Sequence, residues 1–263
     1  MDSNQAVGNF EKIYREVLRD LNLPTQSHAK HYLTQQLPRY KMRYSILHPY
    51  LAAGKVLDIG VYPGLFTYVI KQLGADIEAA DLEPERIPGE IRKFLKIHQV
   101  DIEAGEIHLG NSSYDAILCL AILEHLLFNP LAVLRRLKGL LKPGGRLFVQ
   151  TPNLGYWRCR LDVLLGKSFD ESPYAAYSRL ETLGHPGHIR VYTMSEVKEI
   201  LTKCGFKIEI ARFFNNDDLE PFRPPGITLV NRITGYLPSL RRQLFVIAKP
   251  ELIEPPREKT KRV

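Results

Sequence analysis

Cysteine is scarce in this sequence, and long apolar runs are missing from it. The 263 residues include three cysteines, Cys119, Cys159 and Cys204, without C-x-x-C spacing. This spacing argues against a disulfide framework and a thiolate zinc site, and we predict core or near-core thiols. No apolar run is long enough to cross a bilayer, and the first residues lack the sections of a signal peptide. The expected location is therefore the cytoplasm.

Basic residues outnumber acidic ones, and the formal net charge is +7. Part of it lies in residues 251–263, which we predict to be a flexible, solvated basic tail. No basic stripe interleaved with aromatic residues is evident, so nucleic acid is not an expected partner. Arginines at 221–225 and at 241–242 are compatible with a phosphate, a sugar nucleotide or peripheral contact with an anionic membrane, although a solvated loop explains them more simply. The sequence does not indicate an oligomeric state.

Hydrophobic periodicity predicts an α/β fold with a doubly wound, Rossmann-like, mostly parallel sheet. We expect a helical N-terminal extension at 1–50 and a main domain at 51–250. The elements predicted in the main domain are strands at 56–60, 76–81, 96–101, 114–120 and 145–151, with helices at 64–73, 87–95 and 130–141. A further helix, capped by Thr193 and ended by Gly205, precedes strands at 206–214 and 243–250, which add an antiparallel edge. Pro- and Gly-rich insertions at about 154–190 and 215–240 are expected to cover the carboxyl edge.

The turn VLDIGVYPG at 56–64 joins a buried strand to a helix through two glycines. This arrangement makes a nucleotide-sized pocket at the carboxyl edge of a sheet, which favours an adenosine-containing ligand. Asp81 follows Gly60 by 21 positions, where a carboxylate can accept hydrogen bonds from ribose hydroxyls. NAD binding fits the same spacing, but G-x-G-x-x-G is missing. An NAD(P)-dependent oxidoreductase therefore stays as an alternative.

Six blocks of the sequence carry a family resemblance. They are VLDIGVYPG at 56–64, Asp81, VDIEAGEI at 100–107, YDAILCLAILEHL at 114–126, LLKPGGRLFVQTPN at 140–153 and HIRVYTMSEVKEILTKCGF at 188–206. In this order they resemble the class I S-adenosylmethionine-dependent methyltransferases. Within that class the chain is similar to the small-molecule group related to ubiquinone-biosynthesis and glycan-modifying enzymes. The resemblance implies S-adenosylmethionine as cofactor and a small-molecule methyl acceptor.

The resemblance also implies cofactor-binding residues. It places Asp58 near the amino-acid end of the cofactor, Asp81 at the ribose and Asp101 at the adenine. Further expected contacts come from Gly60, Gly64, Ile102 and Leu120. Two simpler interpretations stay open: Asp58 as a carboxylate that fixes its turn, and Asp101 as a solvated loop carboxylate.

Two positions depart from the family pattern. Tyr62 stands where a middle glycine is usual, so its side chain must avoid the cofactor or the turn must reshape. Ala121 replaces an acid that helps some related O-methyltransferases hold a divalent cation, and we therefore predict no metal site. Together these departures keep open a third hypothesis, a binding protein of the same fold that has lost catalysis.

Candidate catalytic and acceptor-binding residues follow the fourth strand and the first insertion. His188, with His185 beside it, and His125 are the candidate bases, while a histidine that only fixes its own turn is the alternative for each. Candidate acceptor contacts are Tyr156, Trp157, Arg158 and Arg190. We predict methyl transfer to a small molecule at oxygen, with a glycan, a glycan precursor or a lipid- or quinone-like acceptor.

Overall fold

The computed structural model describes residues 2–21, 28–52, 54–105, 107–183, 187–215, 230 and 236–251. Seven strands form one sheet in the order β3-β2-β1-β4-β5-β7-β6. They are β1 (Val56–Ile59), β2 (Ile77–Asp81), β3 (Ile97–Gln99), β4 (Tyr114–Leu120), β5 (Leu141–Pro152), β6 (Phe206–Phe214) and β7 (Gln243–Pro250). Strands β1 to β5 pair in parallel, and β7 runs antiparallel between β5 and β6. The predicted fold class is confirmed.

Eight helices belong to the described part of the chain. They are α1 (Ser3–Asp20), α2 (His28–Leu51), α3 (Leu65–Gln72), α4 (Gly89–Arg92), α5 (Pro130–Leu140), α6 (Trp157–Leu164), α7 (Pro173–Leu183) and α8 (Met194–Lys203). Asn129 caps α5 by accepting from two backbone N–H groups. The predicted cap of α8 is present, because Thr193 forms a capping box with Glu196. The helix predicted at 87–95 is only the single turn α4, because Pro88 restricts the residue before it and cannot donate.

Residues 142–145, just before the strand predicted at 145–151, form a bulge inside the longer strand β5. Tyr114 pairs with Leu141 and Ala116 with Arg146, so β5 advances five residues while β4 advances two. Gly144 has a φ of +82°, which favours glycine. The ladder resumes at Arg146 and carries β5 to the carboxyl edge of the sheet.

The helical extension packs on one face of the sheet. Phe10 of α1, Tyr44 of α2 and Phe66 of α3 meet there, with the Phe10 and Tyr44 ring centroids 4.7 Å apart. Burying each of these rings stabilises the fold by about 2–3 kcal/mol. α5 and α8 cover the opposite face, where Cys119 and Cys204 are buried. All three thiols are free. Cys119 and Cys204 are core thiols as predicted, whereas Cys159 is only half-buried, on α6, a helix without a buried residue.

Glu78 of β2 is the centre of an ion cluster in the sheet. Its carboxylate accepts from Lys96 at 2.8 Å and from Tyr114 at 3.1 Å, and contacts the Nε2 atom of His98 at 2.9 Å and the Nζ atom of Lys55 at 2.9 Å. Burial alone would raise its pKa, but the hydrogen bonds from Lys96 and its other partners outweigh burial and hold the pKa at about 2. The cluster therefore ties β2 to its neighbours.

None of the described helices combines the length and the apolar character needed to cross a membrane. The predicted cytoplasmic location and domain boundaries stay predictions. The basic tail at 252–263, the segment 221–225 and His185 lie outside the described residues.

Candidate active site

The site lies where the strand order reverses. β2 and β3 lie on one side of β1, and β4 and β5 lie on the other. Parallel strands leave a crevice at this point outside their carboxyl ends. The residues at or just after these ends, taken across the sheet, are Asp101, Asp81, Asp58, Gly60, Glu124, His125 and Asn153. The topology therefore brings most of the predicted site residues to one edge.

The turn after β1 requires glycine at two positions. Gly60 has a φ of +66°, and a Cβ there would lie 2.1 Å from the Cδ1 atom of Ile122. Gly64 begins α3 with a φ of +89°, and a Cβ there would lie 3.1 Å from Ile87 and Ile91. Glycine is therefore required at position 60 because Ile122 packs directly against the turn, and the turn brings backbone rather than a side chain to the crevice.

Asp81 connects this turn to the end of β2. Its Oδ2 accepts from the Tyr62 N–H at 3.1 Å, and its Oδ1 accepts from the Glu83 N–H at 3.0 Å. A carboxylate has about four acceptor positions, so two remain for ribose hydroxyls. The Tyr62 ring lies half-exposed, with the Arg86 guanidinium carbon 5.1 Å from its centroid. A tyrosine at position 62 is therefore compatible with the hydrogen bond between the turn and Asp81.

Asp58 is buried at the bottom of the crevice. Its Oδ2 accepts from the Thr67 hydroxyl at 2.6 Å, which joins β1 to α3. Burial raises the pKa of Asp58 to about 6, against the opposing effects of the Thr67 hydrogen bond and the Arg43 charge. The turn-fixing interpretation is thus supported, and the carboxylate still lies within the electrostatic reach of a ligand cation.

Arg43 reaches the same region from α2, and the sequence analysis missed it. The side chain is buried, and its Nε donates to the Gln150 Oε1 at 2.5 Å. Gln150 in turn donates to the Gln243 Oε1 at 3.1 Å. This buried cation near Asp58 suits the carboxylate of an amino-acid group.

The predicted adenine side of the site is built from a turn after β3. Asp101 Oδ1 accepts from the N–H groups of Glu103 and Ala104 at 2.8 and 3.1 Å, so one oxygen fixes its own turn. Ile102 is half-buried, and Leu120 is buried at the end of β4. The cofactor contacts of these residues stay predictions.

Glu124, His125 and His188 form a cluster at the end of β4. One ligand atom from each lies within 4.8 Å of the others, and the two imidazole centroids are 5.0 Å apart. The Ile189 N–H donates to the Glu124 backbone oxygen at 2.7 Å. This hydrogen bond holds the segment that carries His188 against the residues that follow β4. The His125 Nδ1 lies 2.8 Å from the Gly187 carbonyl oxygen. Because a carbonyl only accepts, this Nδ1 carries the proton, and Nε2 of the neutral ring keeps its lone pair.

Glu124 places a buried carboxylate beside the two histidines of this cluster. The residue is 1% exposed, and its Oε2 atom has no hydrogen-bond partner among the described residues. Partial burial lowers the pKa of His188, and the Glu124 charge opposes that shift. A neutral imidazole beside a buried carboxylate can accept a proton and be stabilised as the cation.

The same three side chains also offer one oxygen and two nitrogen ligands to a divalent cation. Ala121, where related enzymes carry a further acid, has a φ of +64° and directs its N–H to the Gln150 carbonyl at 2.8 Å. Residue 121 thus supplies no carboxylate ligand. The absence of a metal stays a prediction.

A cavity of about 450 Å³ opens beside His188. The predicted acceptor residues Tyr156 and Arg158 line it, together with Arg242, one of the two arginines noted at 241–242. Four further lining residues were missed by the sequence analysis: Asn153, Asp162, Phe169 and Asp170. Trp157 is not among the lining residues, and its ring lies 5.6 Å from that of Tyr156. Arg190 lies outside the cavity lining as well, and its guanidinium pairs with Glu196 at 2.8 Å. The acceptor roles stay predictions.

Comparison with known proteins identifies the family. The model of a methyltransferase domain family matches residues 28–210, and the chain belongs to this family. Ubiquinone biosynthesis O-methyltransferases of Xanthomonas oryzae pv. oryzae and Xanthomonas campestris pv. campestris are each 36% identical over 113 residues. The matched part covers 39% of this chain and 45% of those proteins, so the chain spans about half the length of these curated relatives.

Solved structures share the fold at low identity. A methyltransferase from Mesorhizobium loti has a TM-score of 0.55 at 19% identity, over 81% of this chain and 97% of its own. A possible histamine N-methyltransferase from Thermotoga maritima has a TM-score of 0.57 at 16% identity, over 93% and 99%. A Burkholderia thailandensis N1-methyltransferase, solved with S-adenosylhomocysteine and its acceptor, has a TM-score of 0.50 at 16% identity, over 96% and 92%.

The predicted class I, S-adenosylmethionine-dependent methyltransferase is therefore confirmed in family and fold, with S-adenosylmethionine as the cofactor. We set aside the alternative of an NAD(P)-dependent oxidoreductase.

Proposed function

We propose that the protein transfers a methyl group from S-adenosylmethionine to a hydroxyl oxygen of a small, quinone-like phenolic acceptor. The observation that carries this proposal is the cavity beside His188 and the buried Glu124 carboxylate. The relatives named as ubiquinone biosynthesis O-methyltransferases support oxygen as the methylated atom and a phenolic ring as the acceptor.

The cofactor would be held across the crevice by residues of this chain. Asp81 would accept from the ribose hydroxyls, Asp101 and Ile102 would bind the adenine, and Arg43 with Asp58 would bind the amino-acid end. When bound, S-adenosylmethionine supplies an activated methyl group, so the protein does not have to activate the methyl donor. The remaining work of the protein is to orient the acceptor and to remove its proton.

His188 would take that proton. Its lowered pKa keeps the imidazole neutral near pH 7, and the ring lines the cavity. The nearby Glu124 carboxylate, withdrawn from water, would stabilise the imidazolium that forms. His125 is the second candidate base, since its Nε2 keeps a lone pair. Tyr156 and Phe169 would hold an aromatic ring by edge or face contacts.

A glycan or glycan-precursor acceptor is the second candidate. Three carboxylates, Asp162, Asp170 and Glu171, line the cavity and are suited to accept hydrogen bonds from sugar hydroxyls. Glu171 is already paired with Arg179, which reduces its availability for that role.

The test is formation of S-adenosylhomocysteine by the purified chain with three acceptor panels: catechols and hydroquinones, anilines of similar shape, and sugar nucleotides. The proposal predicts turnover with the catechol panel and little with the matched anilines. Turnover confined to anilines would refute oxygen as the methylated atom, and turnover confined to sugar nucleotides would favour the second candidate.

A further inference from the structure

Glu103 joins two segments of the crevice that lie far apart in the sequence. Its Oε2 accepts from the Leu127 N–H at 3.0 Å, and its Oε1 accepts from the Phe128 N–H at 2.8 Å. These two bonds connect the turn after β3 to the segment after β4, across 24 and 25 positions of the chain. A carboxylate that accepts from two neighbouring N–H groups fixes the position of the backbone that donates them. We call this pair of hydrogen bonds the Glu103 clamp.

One end of the clamp belongs to the predicted adenine side of the site. The Glu103 N–H donates to the Asp101 Oδ1 at 2.8 Å, so Glu103 is part of the turn that Asp101 fixes. Arg136 of α5 donates to the backbone oxygens of Ile102 and Glu103 at 2.9 and 3.0 Å. The position of the Glu103 carboxylate therefore depends on the turn that is expected to bind the adenine.

The other end of the clamp lies directly after Glu124 and His125. Leu126 is buried, but the side chains of Leu127 and Phe128 are 55% and 80% exposed. Side-chain packing therefore does little to hold the chain beyond Leu126, and the backbone hydrogen bonds of the clamp fix it instead. Because Leu127 is two positions after His125, the clamp also restricts the backbone beside the candidate base.

The two ends of the clamp are thus parts of the cofactor site and of the acceptor site. A ligand that orders one end of such a connection favours the ordered form of the other end. The effect is reciprocal, so an acceptor bound beside the histidines would strengthen cofactor binding by the same factor. Couplings of this kind are typically about 5- to 150-fold in affinity.

We propose that Glu103 is a positioning residue that couples adenine binding to the orientation of Glu124 and His125. The proposal deepens the proposed function and rests on it for the adenine position at Asp101 and Ile102. Its consequence is that the carboxylate and the candidate base are held most firmly when the cofactor is bound. The acceptor would then meet an oriented base only in the presence of the methyl donor.

The test is the response of the His125 imidazole to adenosine and to S-adenosylhomocysteine, read from its Cε1–H proton resonance at constant pH. His125→Asn assigns the resonance. Adenosine has the adenine and the ribose but no amino-acid end. We expect both ligands to shift the resonance in the unmodified protein. At saturation, Glu103→Ala should lose most of the shift that adenosine causes, and calorimetry should show about tenfold weaker binding of S-adenosylhomocysteine.

Two further variants separate positioning from folding. Glu103→Gln keeps one acceptor oxygen, so one of the two clamp bonds remains and an intermediate response is expected. Glu90→Ala removes an exposed acid of α4 and should respond like the unmodified protein. If Glu103→Ala does not melt as a folded protein, the comparison is made with Glu103→Gln.

The resonance and the calorimetry need no methyl acceptor, so their outcome is read separately from the proposed function. The proposal is overturned if neither ligand shifts the His125 resonance in the unmodified protein. It is also overturned if Glu103→Ala and Glu103→Gln show the full shift at saturation. A lower melting temperature together with the full shift would mean that Glu103 only stabilises the fold.

Discussion

Replacing Asp81 by alanine should weaken cofactor binding by an amount that follows from its contacts. The two carboxylate oxygens already accept from the Tyr62 and Glu83 N–H groups, and two acceptor positions remain for the ribose. A hydrogen bond to a charged acceptor contributes about 1.5 kcal/mol at the lower end of measured values. Loss of two such bonds costs roughly 3 kcal/mol, which is about 150-fold in the dissociation constant.

Asp81→Asn removes the negative charge and one of the two backbone contacts, because the NH2 group of asparagine cannot accept from the Tyr62 or Glu83 N–H. It keeps one oxygen acceptor and loses the negative charge, so we expect a loss of about tenfold, between the unmodified protein and the alanine variant. The control is Glu83→Ala, because the Glu83 carboxylate pairs only with Arg86 among the contacts found and is half-exposed.

Calorimetric titration with S-adenosylhomocysteine measures all three variants without an acceptor. Each variant should first be shown to melt as a folded protein. If Asp81→Ala binds within about threefold of the unmodified protein, the ribose assignment is wrong. A loss of the same size in Glu83→Ala would mean that the turn as a whole, rather than the Asp81 carboxylate, determines affinity.

Three further outcomes are expected. Cofactor affinity should fall about tenfold per unit as the pH drops below about 6, because the ligand ammonium favours ionised Asp58, and Asp58→Asn should flatten this titration profile. His188→Ala should lower kcat with little change in cofactor affinity. A loss of turnover in His125→Ala alone would instead identify His125 as the base. Turnover assays and calorimetric titration measure both variants. Glu78 has a lowered pKa, so its stabilisation is full above the unfolded pKa near 4.5 and is lost as the pH falls towards 2. Urea unfolding of Glu78→Gln at pH 7 should show a loss of roughly 2 kcal/mol, and an unchanged midpoint would contradict the ion cluster.

Local patterns in the sequence were sufficient for most of the fold. β4, β6 and β7 have the predicted bounds. β4 and β7 are mostly apolar runs bounded by turn residues, and β6 alternates apolar and charged residues over its first half. The prediction was wrong around 87–95, where Pro88 overrides the apolar spacing. The position of β7 between β5 and β6, and not at the edge itself, depends on long-range pairing that spacing along the chain does not encode.

The same limit applies to the candidate site. Asp58 and Asp81 follow apolar strands, so their position at the carboxyl edge could be predicted from the sequence. Arg43 could not, since its hydrogen bond to Gln150 joins residues 107 positions apart. Which residues of α6 and of the segment after it line the cavity likewise depends on how the helices pack, and the sequence indicated only a Pro- and Gly-rich insertion at about 154–190.

The most direct test of the proposed function is a single-turnover reaction with S-adenosylmethionine labelled with ¹³C in the methyl group, a catechol acceptor and excess protein. The carbon chemical shift of the product shows which atom received the label. A labelled aryl methyl ether, greatly reduced in His188→Ala, is the predicted result. A label on a ring carbon, or no transfer to any hydroxyl by a protein that binds S-adenosylhomocysteine, would contradict it.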